Sequence, residues 1–499
     1  MIFSKNNPKT CTLWDRFEQL SFLFFCVCIL DCCLTGAGRY VSIGPLSPRM
    51  IFGFLSLLFI LPKFFLNLRS VLRNPIFIAF LVFLVYMGIC AVRGFLADNL
   101  RSVLISDIKG FLWLYLVPIA VLTVTTEKRM NTVLNCVMIG AVLQTLLVLY
   151  TNTVCSIVPA GISIFYQPFL DIGIGSVFDM SKDITRIFLK SCPYMVFACS
   201  IAIFKQIKAK RINWLYVAAI ALWLVACLLS FTRALYGCIF VVAGLSVLAL
   251  LVFYPKQWRR WVACILIAVV GFGVCTFALE KIFDARYVDF ALYRTFGIPY
   301  EEEPEATEPP VTEPTQAPTT EPTTPTTKPT EPTKPTKPTK PTEPAKPTPP
   351  TPVADPDLQL EFYQDNQTYS NEVRAITLAE LTALIRQNPV FGNGLGASAP
   401  SRNGPDEYFY HDMLARMGIV GLILYLIPFG LVLLHCFRNR KTLVQMPLIF
   451  SILCGMCGFW AITFFNPWMN AALGIAMYAV CCAVPGILNV SKTEIHIKE

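Results

Sequence analysis

Charge is what this sequence has least of. Only 15% of its 499 residues are Asp, Glu, Lys or Arg, against 55% hydrophobic residues and a mean hydropathy of +0.57. A soluble globular chain usually carries charge on about a quarter of its residues, so a membrane protein follows instead. Histidine is scarcer still, with three in the chain, so few side chains can act as a base near neutral pH. Also missing is any contiguous basic face with interleaved aromatics. The formal net charge of +9 is spread in small groups between apolar runs. That spacing orients membrane helices and gives nucleic acid nothing to hold.

The nineteen cysteines do not form a disulfide framework. Most sit singly or in pairs inside apolar runs, as do Cys26, Cys28, Cys32, Cys33, Cys454, Cys457, Cys481 and Cys482, and they read as small apolar helix residues. Cys454-x-x-Cys457 has no second pair and no nearby His, so no metal is expected there. Lys5, Lys9 and Arg16 precede an apolar run as in a signal peptide. Without a convincing small-residue cleavage site, that run reads as an uncleaved first helix.

Stretches apolar enough to cross a bilayer fall near 18–36, 43–62, 75–92, 103–125, 131–152, 184–204, 212–229, 234–254, 261–279, 409–435, 444–464 and 468–488. The run 153–183, interrupted by Pro159 and Pro168, reads as an interfacial or re-entrant piece. The expected fold is an all-α integral membrane protein of about 12 transmembrane helices, with a large extracytoplasmic loop between spans nine and ten. The boundaries are a membrane bundle at 1–280, the loop start at 281–298, a Pro/Thr-rich insert at 299–352, a segment with an interfacial helix at 353–408, and a closing bundle and tail at 409–499.

Orientation follows from alternate short connections. One set holds Lys63, Arg69 and Arg73, then Lys128 and Arg129, then Lys205, Lys208, Lys210 and Arg211, then Lys256, Arg259 and Arg260, then Arg438, Arg440 and Lys441. The other holds far fewer, chiefly Arg39, Arg49, Arg93, Arg101, Lys182 and Arg233. The positive-inside rule makes both termini cytoplasmic and the long connection extracytoplasmic. Its Lys-Pro-Thr and Glu-Pro-Thr repeats cannot bury a core and favour polyproline II. They read as a tolerated low-complexity insertion or as a stalk reaching into a cell wall. Beyond them, Tyr369 to Gln387 reads as a surface helix with Val373, Ile376, Leu381, Leu384 and Ile385 on one face, stopped by Asn388 and Pro389. The only Asp-x-Asp, Asp355-Pro356-Asp357, reads as a turn.

Three residues on the outer face can carry chemistry. Arg233 lies in a tight connection, Ser230-Phe231-Thr232-Arg233-Ala234, on the side where positive charge is disfavoured. Arg374 opens the surface helix. His411 follows Tyr408-Phe409-Tyr410 at the outer end of the tenth span and can serve as a general base. Each also has a plain reading: a snorkelling boundary Arg, a solvated helix-face Arg and an interfacial His. His435 and His496 fall on the cytoplasmic side.

The order Thr232-Arg233-Ala234, a long outer loop, Arg374, Asn388-Pro389-Val390-Phe391-Gly392-Asn393-Gly394-Leu395-Gly396, His411 and Gly418-Ile419-Val420-Gly421 resembles the O-antigen ligase and O-antigen polymerase superfamily. The likeness in architecture covers essentially all but the Pro/Thr repeat; the motif is confined to about 230–236 and 374–425. The resemblance implies a metal-independent, inverting glycosyl transfer, without cofactor, from an undecaprenyl-diphosphate-linked glycan to a glycan or cell-wall acceptor. The reaction would take place outside a bacterial cytoplasmic membrane. Arg233 and Arg374 would bind the diphosphate through planar guanidinium forks, and His411 would deprotonate the acceptor hydroxyl. Arg186, Arg416, Gly392 and Gly394 are further substrate-binding candidates, the glycines through backbone N–H groups. Two departures stand out: Asp412 follows the His where the family often has Asn, and Arg416-Met417 replaces an acidic residue before the Gly-x-x-Gly. Ligase and polymerase are not distinguished.

Two other classes fit the composition. A transporter or lipid-linked oligosaccharide flippase would use charged residues in the spans, of which Lys109 is one, but it should also show related halves, and no internal repeat is evident. A non-catalytic wall-associated sensor would use the Pro/Thr stalk alone.

Overall fold

The structure is a computed structural model that describes residues 13–36, 38–41, 46–158, 160–181, 184–298, 356–401 and 408–498, with side chains except at 356–371 and 492–498. The Pro/Thr insert, Asp355, Lys5, Lys9, Pro159 and Lys182 lie outside the described residues, as does the side chain of His496.

Helices α1 (Leu13–Thr35), α2 (Pro48–Leu66), α3 (Pro75–Leu96), α4 (Arg101–Thr123) and α5 (Glu127–Ile157) come first. After α6 (Gly161–Ile172), strands β1 (Gly175–Ser181) and β2 (Ile184–Leu189) pair antiparallel. Then follow α7 (Pro193–Lys208), α8 (Trp214–Leu228), α9 (Arg233–Phe253), α10 (Trp258–Phe283), α11 (Tyr287–Phe296) and α12 (Pro356–Gln387). The chain closes with α13 (Phe409–Arg438), α14 (Pro447–Ile462), α15 (Ala472–Cys482) and α16 (Val484–Lys498).

Among the described residues, nine helical stretches are long and apolar enough to cross a membrane. Three further stretches expected to span, α7, α8 and α14, are 16, 15 and 16 residues long, short of the roughly 20 that a bilayer requires. The described residues are predominantly helical, as expected of an all-α membrane protein, with one two-stranded hairpin: the apolar stretch that starts at 184 is a strand before it is a helix. Its β-branched Ile184, Thr185 and Ile187 suit the pleat. The Asp-x-Asp reading changes too, since Pro356 opens α12.

Helices apolar on every side belong in the middle of a bundle. Accordingly α7, α14 and α15 are almost wholly buried. The outer helices leave one face to lipid, with Phe54, Val85 and Phe277 exposed. Small residues allow close approach between helices: Gly140 lies against Cys33 and Gly455 against Phe197. The apolar-run cysteines named above are also unpaired helix residues, most of them fully buried.

The two ends of the bundle differ in chemistry. At one, Glu18 pairs with Lys63 and Arg129, Glu127 with Lys208, and His435 Nε2 lies 3.1 Å from Asn489 Oδ1. The opposite end carries the hairpin, α6, α11 and the visible part of α12. Here Arg49 is buried and clamps the turn after α1, donating to Thr35 Oγ1 and Gly38 O at 2.9 and 2.7 Å.

Candidate functional site

The turn between α8 and α9 is held rigidly. Ile187 N–H donates to Leu229 O at 3.0 Å, and Arg186 donates from Nε to Ser230 O at 3.1 Å and from Nη2 to Thr232 Oγ1 at 3.3 Å. Phe231, fully buried with φ +43°, meets Phe290 edge to face at 5.2 Å. Arg233 is the first residue of α9 and is exposed. The carbonyl of Thr232 accepts from Leu235 N–H and Tyr236 N–H. With Arg233 at the helix N-terminus and the Arg186 guanidinium of β2 bonded to the same turn, this corner attracts anions. Sequence reasoning missed Arg294 on α11. It reaches Met180 Sδ at 3.7 Å, and its charge and that of Arg186 both act on the Tyr236 hydroxyl.

Asp179 was also missed. It stands opposite Thr185, whose hydroxyl lies 3.5 Å from Oδ1. Asp179 reaches solvent, yet the protein packed around it desolvates the carboxyl enough to push its pKa up from 3.8 to about 6, partly offset by that hydroxyl. Nothing local in Phe178-Asp179-Met180 announces this.

Arg374 is exposed near the middle of α12, which begins earlier than expected, at Pro356. Thr377, not Ile376, faces the protein: Thr377 is 1% exposed and Ile376 52%. The Thr377 hydroxyl donates to Val373 O at 2.8 Å, so it is buried at little cost. Leu381 packs with Ala399 and Ala415, and Tyr408 covers them. The Tyr408 ring lies 5.8 Å from the half-buried His411 ring. Helix α12 also touches β1. Arg233, Arg186, Arg374 and His411 thus lie at one end of the bundle, linked through the hairpin and α12.

The segment Asn388–Gly396 does something other than cradle phosphate. It threads between α3 and α13, and its N–H groups are already engaged. Gly392 N–H donates to Asn388 O at 2.9 Å, Asn393 N–H to Ala415 O at 2.8 Å, and Gly394 N–H to Arg416 O at 2.9 Å. Leu395 N–H donates to Cys90 O and Gly396 N–H to Asp107 Oδ2, both at 2.9 Å. The carbonyls are engaged too: Arg93 donates to Phe391 O and Gly392 O at 2.9 and 2.7 Å, and Asn99 to Leu395 O at 3.0 Å. Gly392 and Gly394 therefore do not present N–H groups to a ligand. They are glycine because φ is +69° and +89° and because a Cβ would strike α13 and Gly94 respectively.

Helix α13 breaks at Gly418 (φ 64°, ψ −173°) to receive this segment. The N–H groups of Ile419 and Val420 donate to Pro389 O and Val390 O at 2.9 and 3.1 Å, and Tyr86 Oη donates to Met417 O at 2.8 Å. A helix can be interrupted at membrane depth only where the protein satisfies the freed groups, as it does here.

Arg416 also departs from the expected role. It is 3% exposed, donates to Asp107 Oδ1 and Ala397 O at 2.9 Å each, and lies 3.6 Å from Asp412 Oδ2. It stands beneath the inserted segment as a clamp and is not a surface contact for lipid or phosphate. Lys109, by contrast, is exposed on α4.

Comparison with protein-family models, curated proteins and solved structures finds no match to this chain.

Proposed function

We propose that the chain is a membrane glycosyltransferase acting at the hairpin end of the bundle, taking a glycan from an undecaprenyl-diphosphate donor to a glycan or cell-wall acceptor. On this reading that end faces outward and the basic end, with both termini, faces the cytoplasm. The observation that carries it is the turn Ser230–Arg233: the Arg186 guanidinium on β2 donates to this turn, Arg233 opens the helix that follows it, and the same hairpin touches α12, which bears Arg374.

Glycosyl transfer from a diphosphate breaks the anomeric C–O bond, whose electron pair goes to the phosphate oxygen and leaves one extra negative charge on the diphosphate. Fixed guanidiniums stabilise that growing charge without rearranging. A diphosphate is a good leaving group, so a general acid is not obligatory. The acceptor hydroxyl loses its proton as its oxygen attacks, and a neutral His411 imidazole can take it. Asp179, ionised above about pH 6, is a second proton acceptor at the same end. Which of the two accepts the proton is decided by the variants below.

The test uses purified full-length protein with lipid-diphosphate glycan and acceptor, without nucleotide and with or without EDTA. Release of undecaprenyl diphosphate together with a longer glycan supports the reading. Movement of intact lipid-linked glycan between leaflets without release would favour the flippase reading. Neither activity would leave the sensor.

A further inference from the structure

We infer that the cavity between the end of α3, the start of α4 and the end of α12 is an oligosaccharide-binding subsite. The cavity measures about 700 Å³ and is lined by Asp98, Gln387, Asn388 and Ser398 along one part and Leu96 and Leu100 along another. None of Arg233, Arg374, Arg186 and His411 lines it.

Its chemistry suits a neutral polyol and not an anion. Among the described lining residues the one cation, Arg93, donates its Nη atoms to Phe391 O and Gly392 O. Those carbonyls are neutral and leave the Arg93 charge in place, so with the exposed Asp98 carboxylate the described lining carries one charge of each sign and no net charge, and Asp98 accepts hydrogen bonds from vicinal hydroxyls. Gln387, Ser398 and the Asn388 carbonyl, whose amide already donates to Asn393 Oδ1 at 2.9 Å, add donors and acceptors of the kind sugar hydroxyls pair with. Asp98 has φ +57°, a conformation that Asp and Asn adopt more readily than most residues. The floor is the inserted segment with its engaged backbone, so the site is preformed.

The distance along α12 sets the ligand's size. Gln387 at the cavity and Arg374 at the anion-binding end are separated by roughly 20 Å of helix, at about 1.5 Å per residue. A monosaccharide does not bridge that, whereas an oligosaccharide chain does. The inference rests on the transferase reading in taking this chain as part of the substrate and Arg374 as marking its diphosphate end. The rim residue Leu96 is 77% exposed, which suits a saccharide carried on lipid as well as a free one.

The experiment is calorimetric titration of the full chain in nanodiscs with neutral tetrasaccharides (malto-, cello- and chito-), each free and as a dodecyl glycoside, and separately with inorganic pyrophosphate. Saturable binding of a tetrasaccharide, weakened about tenfold or more by Asp98→Asn and by Gln387→Ala but not by Arg233→Ala, supports the subsite. Tighter binding of the dodecyl form assigns the chain to a lipid carrier, and equal binding assigns it to a free glycan. No tetrasaccharide binding, or binding indifferent to both cavity variants, overturns the subsite. Asp98→Asn keeps the backbone preference, and an unchanged melting temperature excludes misfolding. If tetrasaccharide binding behaves as stated while pyrophosphate binding and transfer are absent, the transferase reading fails and the subsite stands. The reverse pattern removes the subsite alone.

Discussion

Arg416 and Asp107 form a buried ion pair at 2.9 Å, although 309 residues separate them in sequence. Each also holds the inserted segment, Arg416 through Ala397 O and Asp107 through Gly396 N–H. Removing one partner of such a pair leaves an uncompensated buried charge and costs about 3–5 kcal/mol. Arg416→Ala and Asp107→Ala should each lose most folded protein, judged by monodispersity and thermal melting in detergent. Asp107→Leu combined with Arg416→Met should recover part of the loss. A stable, monodisperse Arg416→Ala would remove the clamp.

The glycines of the inserted segment make a separate prediction. A non-glycine residue at Gly394 or Gly418 must hold a left-handed conformation, costing about 1–3 kcal/mol, and must push its Cβ into Gly94 or Val390 backbone. Gly394→Ala and Gly418→Ala should both lower the melting temperature markedly. Gly237→Ala, where a Cβ meets open space, should not.

Transfer activity separates the proton acceptors and the forks. His411→Ala should lower transfer by about 10²–10⁴-fold with membrane insertion intact. Arg233→Lys and Arg374→Lys should cost far more than a conservative change, because an ammonium keeps the charge but lacks the planar fork. Near-normal transfer by His411→Ala with loss in Asp179→Asn would move the base to Asp179.

Asp179 also predicts a pH dependence of stability. Its folded pKa of about 6 lies above 3.8, so the folded state holds the proton more tightly than the unfolded chain. Stability therefore falls as pH rises from about 4 to 6, and the penalty is complete above that window. Asp179→Asn should melt higher than the parent at pH 7.5, and the gain should vanish near pH 4. An equal difference at both values would show that the carboxyl's proton is not involved.

The apolar runs were legible because a bilayer sets their length and hydrophobicity whatever they pack against. The strand at Ile184–Leu189 was not, since a short run of Ile, Phe and Leu reads alike as strand or buried helix. On α12 the apolar stripe was right at Leu381, Leu384 and Ile385 but slipped at Ile376, because a threonine that bonds its own backbone counts as polar in a pattern yet buries readily. The roles of Arg416, Gly392 and Gly394 were misread because their partners come from distant helices. The available signal was Asp107 within an apolar stretch: two opposite charges at membrane depth call for each other. Arg233 and the turn around it were legible, as a cation on the sparse side of the charge pattern.

The break at Gly418 and the ion pair beneath it constrain how the chain is made. At about 5–20 residues per second, the 309-residue separation means that Asp107 leaves the ribosome roughly 15–60 s before Arg416 does. For that interval Asp107 lacks its Arg416 partner, and the gap between α3 and its later neighbour stands open. The N-terminal half is therefore an unfinished vessel whose seal is delivered last, and a nascent chain stalled within the repeat should be a ready substrate for membrane quality control.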